Sequence, residues 1–386
     1  MKLELTAPVH FGLESVLKRE IYDLGYDVTD VTDGRVTFAG DEEACVRANI
    51  FIGSAERILI KVGEFKAVSW EEFFDKIYGL PWERYIPLNG RFWVKKASSV
   101  KSALFSSRDI QSLAKKAMVK RLSSVYDTAS FPDGRFPEDG ADYPVRIFIN
   151  KDQVFVGLDT SGESLHKRGY RVKSGTAPIS ETMAYGIIKL SPFGRGRILV
   201  DPFCGSGTIP IEAARIAANI PPGIDRNFLA ETWKNLIPEK LWDEIRREGR
   251  EGIDTLTDTD IQGYDIDPFV IAVAKENAVD AGVDELVHFQ ARDVSDLSHR
   301  KKYGFIITNP PYGERISGLN ELPGLYRALG EGYRRLEDWS MYVISSWEDA
   351  PDYIGGRPDK NRKLYNGMIK TYLYQYLGAK PPGKKK

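Results

Sequence analysis

Apolar residues recur along this sequence at two spacings. At spacing two they mark strands at Leu3 to Ala7, Asp33 to Phe38 and Arg57 to Val62. Two more strands, Val145 to Ile149 and Val154 to Leu158, are joined by Asn150-Lys151-Asp152-Gln153. At helical spacing, Val16, Leu17, Ile21 and Leu24 give Glu14 to Leu24 one apolar side; Ile110, Leu113, Ala114, Ala117, Met118 and Leu122 do the same further on. Residues 1–60 read β, α, β, β, α, and a second α/β unit runs from about 65 to 160. From about residue 175 to the end strands alternate with helices, as a doubly wound sheet requires. Three units are expected: 1–62, 63–160 and 161–386. Between 219 and 260, Leu229, Trp233, Leu236, Ile237, Leu241, Trp242 and Ile245 predict inserted helices, with packing on the last unit favoured over roofing the target pocket.

Chemistry concentrates at the predicted carboxyl ends of strands, where open α/β sheets bind ligands. The strand Arg197 to Val200 runs into Asp201-Pro202-Phe203-Cys204-Gly205-Ser206-Gly207-Thr208 and a helix (Ile209, Ile211, Ala213, Ala214, Ile216, Ala217). This loop lacks the Gly-Lys-Ser/Thr of a triphosphate loop, and Pro210 stands where a dinucleotide fingerprint has its third glycine. Gly205 and Gly207 let a ligand approach the backbone, and Asp201 attracts a cationic group. S-adenosylmethionine, with an ammonium, a sulfonium and no phosphate, fits better than NAD or ATP. Asp265, ending Ile261 to Asp265, suits ribose hydroxyls. Asp267, before Pro268 and an apolar-periodic helix, suits an N-cap. Asp293, past Val287 to Ala291, can accept from an adenine amine.

The apolar run Phe305 to Thr308 then ends in Asn309-Pro310-Pro311-Tyr312. Two prolines stop the ladder and stiffen the chain, presenting a carboxamide and a phenol together. Exocyclic amines of nucleobases are poor nucleophiles because their lone pair is delocalised. The Asn309 oxygen and the Pro310 carbonyl can accept both N–H bonds, while Tyr312 stacks on the base. This tetrapeptide does not distinguish guanine N2 from adenine N6. No cysteine is placed for covalent attack on a pyrimidine: Cys204 lies in the cofactor loop and Cys45 is remote in sequence.

The net charge is −1, from 54 basic and 55 acidic residues, yet local runs are strongly basic. Between Arg91 and Arg121 stand nine basic residues and one acid, Asp109, with Phe92, Trp93 and Phe105 interleaved. Lys95, Lys96, Lys115, Lys116, Lys120 and Arg121 are candidate phosphate contacts, the helical ones facing largely outward. Two further runs, His166 to Lys173 and Lys360 to Gly367, add Lys167, Arg168, Arg171, Arg362 and Lys363. Two unpaired cysteines, no membrane-length apolar run and no signal-peptide core predict a cytoplasmic protein; four histidines form no metal cluster, and Pro381 to Lys386 read as a tail.

In order and content these segments resemble the class I S-adenosylmethionine-dependent methyltransferases, in the amino-methylating branch. His10-Phe11-Gly12-Leu13-Glu14, Asp159 to Arg171, Ala177 to Thr182, Ala217 to Gly223 and Lys363-Leu364-Tyr365-Asn366-Gly367 sharpen this. Over nearly the whole chain they resemble the THUMP-containing 23S ribosomal RNA guanine-N2 methyltransferases. The resemblance implies a ferredoxin-like domain, a THUMP domain gripping structured RNA and a Rossmann-like catalytic domain taking one guanine out of its stack. It also places Thr182 along the cofactor's methionine end. Some members of the family carry a second methyltransferase module, with no counterpart in this sequence. Transfer RNA as substrate, adenine as target base and a non-catalytic assembly factor remain the alternatives.

Overall fold

The computed structural model describes residues 1–128, 135–171, 179–312, 321–367 and 369–382. Val172, Lys173, Ala177, Pro178 and the last four residues of the expected tail lie outside the described residues. The N-terminal half contains β1 (Leu3–Pro8), α1 (Glu14–Asp23), β2 (Val28–Thr32), β3 (Arg35–Gly40), α2 (Glu42–Phe51), β4 (Leu59–Lys66), α3 (Trp70–Tyr78), β5 (Arg91–Val100), α4 (Ser107–Tyr126), β6 (Asp142–Asn150) and β7 (Gln153–Asp159). There follow α5 (Glu181–Leu190), β8 (Ile198–Asp201), α6 (Thr208–Ala217), α7 (Glu239–Glu251), β9 (Asp260–Asp265), α8 (Pro268–Asp280), β10 (Val287–Ala291), β11 (Phe305–Thr308), α9 (Leu322–Arg334), β12 (Ser340–Ser345), α10 (Ala350–Ile354), β13 (Lys360–Asn366) and β14 (Ile369–Tyr376). Short polar side chains start several helices: Asp41, Ser69, Ser106 and Ser180 each accept an orphan N–H group, of α2, α3, α4 and α5 respectively. None of the described helices is long and apolar enough to cross a membrane.

The described strands form two seven-stranded sheets. The first has the order β2-β3-β1-β4-β7-β6-β5. Its pairs are antiparallel except β5 with β6, which the α4 crossover joins in parallel. Lys151 and Asp152, both at positive φ, make the tight turn between β6 and β7. The two expected N-terminal units therefore share one sheet. β4 pairs with β1 on one side and β7 on the other, so the boundary expected at 62/63 falls inside a strand.

The second sheet has the order β10-β9-β8-β11-β12-β14-β13. β10 through β12 are parallel, and β14 and β13 close the edge antiparallel. Here the expected alternation of strand and helix ends early, because β13 and β14 pair directly as antiparallel neighbours, with no helix between them among the described residues. As the edge strand, β13 buries only Leu364 fully, and its charged remainder masks the period of two. The central strands are apolar on both faces: Phe305 and Ile307 enter one core cluster, and Ile306 enters the other.

The 219–260 insertion packs, as expected, but its partners lie largely in the N-terminal half. Trp233 stacks on Tyr143 of β6 at 4.9 Å, and its indole N–H donates to the Asp142 carbonyl. Asn235 bonds the Tyr143 hydroxyl and the Tyr85 carbonyl, and Arg47 of α2 pairs with Glu248 of α7. Trp233 is completely buried. Trp233→Ala should therefore destabilise the protein by about 3–5 kcal/mol in a denaturant titration; a loss below about 1 kcal/mol would mean that this seam carries little of the stability.

Candidate active site

Parallel strands bring Asp201, Asp265, Ala291 and Thr308 to one edge of the second sheet, as the last residues of β8, β9, β10 and β11. Asp201 is 1% exposed and turned inward. Its Oδ1 accepts from the Thr308 hydroxyl at 2.6 Å and from the Phe203 N–H at 3.1 Å. Burial nonetheless pushes its carboxyl up to about 7. Asp201 thus braces two strand ends, where an open, ligand-facing carboxylate was expected.

The loop that follows folds over β9. Cys204 N–H donates to the Tyr264 carbonyl and Gly205 N–H to Asp265 Oδ2. Gly205 and Gly207 lie at φ +52° and +87°, a region that favours glycine. A side chain at Gly207 would meet Phe289 at 2.8 Å, whereas one at Gly205 would meet nothing within 4 Å. The loop is therefore packed at Gly207 and open at Gly205, leaving ligand space beside Asp265. Asp265 Oδ1 accepts from Asp267 N–H, and burial raises its carboxyl. Asp267 caps α8 by accepting from Phe269 N–H, as its position before Pro268 suggested. Asp293 is exposed just past the end of β10; hydrogen bonding to the Ser295 side chain, and then to its N–H, holds its carboxyl low. Phe203 is half-buried; Thr208 is buried as the first residue of α6 and accepts from Arg171.

The tetrapeptide leaves β11 beside this loop. Asn309 Oδ1 is buried and has no hydrogen-bond partner. Such an orphan acceptor costs about 1–3 kcal/mol unless a donor arrives. The Pro311 carbonyl accepts from Tyr326, which also bonds Ser345. Tyr312 is 3% exposed, and its phenol oxygen accepts from Asn366 Nδ2 at 3.2 Å. The ring is not the open platform that base stacking supposes.

Several expected RNA contacts are committed elsewhere. Arg168 is buried, donating to the Leu165 and Gly53 carbonyls and paired with Glu212. Arg171 donates to the Ile179 carbonyl and Thr208 and pairs with Glu181. The Lys115 ammonium sits 3.7 Å from the Phe92 ring centroid and donates to the Phe92 carbonyl; burial holds it below the usual lysine range. Arg121 is paired with Glu83 and Arg362 donates to the Gly12 carbonyl, whereas Lys167 stays exposed in a surface pair with Glu163. Lys95, Lys96, Lys116, Lys120 and Lys363 remain exposed. Charge runs give composition, not direction, and a cation beside a buried carboxylate or carbonyl turns inward.

Thr182 is buried at the start of α5, bonded to Glu56 and near His10. Glu56 also meets His10 at 3.0 Å and His166 at 3.5 Å. Burial opposes its ionisation, but those imidazoles and the Thr182 hydroxyl hold its carboxyl well below the usual range. Neither this junction nor the Thr308 brace was singled out from sequence, since their partners are far apart in the chain. Ile266, 72% exposed between Asp265 and Asp267, was also passed over. An exposed aliphatic residue beside the open loop suits the flat face of a heterocycle, and its place after a strand-end acid is a sequence signal. Among the described residues no cluster of His, Cys, Asp or Glu could hold a metal.

Residues 168–375 match the RMKL-like methyltransferase domain, residues 4–59 the RlmL ferredoxin-like domain and residues 67–159 the THUMP domain. YpsC of Bacillus subtilis (strain 168), whose name proposes an RNA methyltransferase, is 41% identical over 385 residues, covering 100% of this chain and 98% of YpsC. The ribosomal RNA large subunit methyltransferase K/L of Syntrophotalea carbinolica is 33% identical over 97% of this chain. This chain spans about half of that relative (53%). The solved structure of SMU.472, a methyltransferase candidate complexed with SAH, is 40% identical with a TM-score of 0.91, covering 99% of each chain.

Two outcomes test the site. Asp265→Ala should weaken S-adenosylmethionine binding about tenfold or more by calorimetry; unchanged affinity would move the ribose contact elsewhere. Asp201 titrates near 7 when folded, above its ordinary 3.8. Its contribution to stability is therefore full below about 4 and lost as pH rises through about 7. The stability difference between wild type and Asp201→Asn should shift along that slope in melts from pH 4 to 8; a difference independent of pH would contradict the burial argument.

Proposed function

Because the chain belongs to the RMKL-like methyltransferase family and is an S-adenosylmethionine-dependent RNA methyltransferase, we propose that it methylates the exocyclic N2 amine of a guanine in large-subunit ribosomal RNA. The observation that carries the amine is Asn309 Oδ1, a buried acceptor without a donor beside the cofactor loop. An exocyclic amine brings two N–H donors. Asn309 Oδ1 takes one, and the Pro310 carbonyl takes the other. Holding both bonds away from the ring plane returns the lone pair to nitrogen and aims it. S-adenosylmethionine supplies an electrophilic methyl on a cationic sulfur, and that charge is lost on transfer. The second amine proton then leaves to water, so Asn309 acts as acceptor and positioner and no strong base is required.

Positioning is the main source of rate, for which about 7–11 kcal/mol is available in principle. The loop at Gly205, with Asp265 and Asp293, holds the cofactor; Asp201 and Thr308 keep that loop and Asn309 in register. Phe203, Gly207 and Thr208 shape the loop's packed side. The exposed lysines Lys95, Lys96, Lys116 and Lys120 supply sequence-independent phosphate contacts from the THUMP side, and Lys363 from the catalytic domain. Ribosomal RNA is supported by the K/L relative named for it, and guanine N2 by the resemblance of the sequence strings. Such a substrate implies a cytoplasmic enzyme.

Asn309→Ala should leave S-adenosylmethionine affinity within about twofold and lower turnover about a hundredfold or more; full turnover would remove this mechanism. Labelled methyl transfer to total RNA from a strain lacking the protein, followed by nucleoside analysis, should give N2-methylguanosine in large ribosomal RNA. Label in transfer RNA would change the target, and label on adenine would change the base.

A further inference from the structure

The two prolines that stiffen the tetrapeptide also remove two backbone donors, so its position depends on bonds supplied from outside. Tyr326 supplies one, to the Pro311 carbonyl at 3.4 Å. Asn366 supplies another, to the Tyr312 phenol oxygen at 3.2 Å. Asn366 ends β13, the edge strand of the second sheet. An edge strand has one neighbour in the ladder and is the least fixed place from which to hold a reactive group.

Here the N-terminal domain holds that strand. Arg362 donates to the Gly12 carbonyl at 2.8 Å, and Tyr365 meets Phe11 edge-on with ring centroids 5.7 Å apart. Gly12 lies at φ +90°, and a Cβ there would fall 2.5 Å from the Lys363 carbonyl oxygen. The loop is itself anchored: Glu14 accepts from the Gly12 and Gly34 N–H groups. Four consecutive steps therefore run from Glu14 to Gly12, to β13, to Asn366 and to Tyr312.

We propose that Asn366 is a positioning residue for Tyr312, and that the loop of residues 10–14 fixes β13 so that it can do this work. The ferredoxin-like domain then contributes to the methyl-transfer step itself, besides any role in RNA binding. This rests on the proposed methyl transfer at Asn309, with Tyr312 three residues on in the same tetrapeptide. Losing one neutral hydrogen bond lets the ring drift and lowers turnover by about tenfold, which corresponds to about 1.4 kcal/mol.

The test is a double-mutant cycle on the full-length protein with its RNA substrate. Asn366→Ala should lower kcat about tenfold, with KM for RNA and S-adenosylmethionine affinity within about twofold and little change in Tm. Tyr312→Phe, which deletes the acceptor, should do the same, and the double variant should be no worse than Tyr312→Phe alone. Should Asn366→Ala melt early, Asn366→Leu keeps the volume without the donor, and the same loss is expected. Gly12→Ala, in the other domain, should also lower kcat several-fold at unchanged cofactor affinity. Additive losses in the cycle, or full turnover in Asn366→Ala, would overturn the assignment while leaving the methyltransferase reading intact. A wild type that methylates no RNA would overturn that reading and this inference together.

Discussion

One buried hydrogen bond organises the catalytic half. The Thr308 hydroxyl donates to Asp201 Oδ1 across the ends of β8 and β11, neighbours at the centre of the second sheet. Asp201 is removed from water, so the bond is strong and costly to leave unmade. The glycine loop starts on one side of it and the proline pair on the other. A shift of either strand end would misalign the two halves of the site at once. Direction of chain does the rest: five parallel strands deliver their carboxyl ends to one edge.

The N-terminal half is more than an RNA-gripping appendage on that sheet. Trp233 and Asn235 of the insertion lock onto β6 and the Tyr85 region. Glu56 reaches His10, His166 and Thr182 at the start of α5, and Gly186 of α5 lies against Leu13. One apolar cluster runs from Leu5 and Phe38 through Trp82 and Ile147 to Ile187, Leu199 and Phe305. The two halves thus share one packed apolar cluster among the described residues.

Local order was legible in the sequence, and direction was not. The strand Phe305 to Thr308, the Asp267 cap with Pro268 and the β6–β7 turn each depend on neighbours in the chain, so pattern alone identified them. Arg168 and Arg171 illustrate the opposite case. Their burial depends on Glu212 and Glu181, which the fold brings beside them, and charge counting assigned them to the surface. Tyr312 was expected as an exposed stacking ring; its enclosure comes from tertiary packing and its hydroxyl partner is Asn366, 54 residues on. The terminal hairpin was read only as a basic run, because an edge strand facing water on one side carries too few apolar residues to show its period.

The strand β4 occupies residues 59–66, while the ferredoxin-like match ends at 59 and the THUMP match begins at 67. The strand that joins the two units thus lies almost entirely outside both. Cutting the chain at either limit strips a neighbour from β1 or from β7 and uncovers a row of backbone donors and acceptors in mid-sheet. Such a row is a template for pairing with another chain. A fragment trimmed to the borders of either family match therefore carries an adhesive edge where β4 had been.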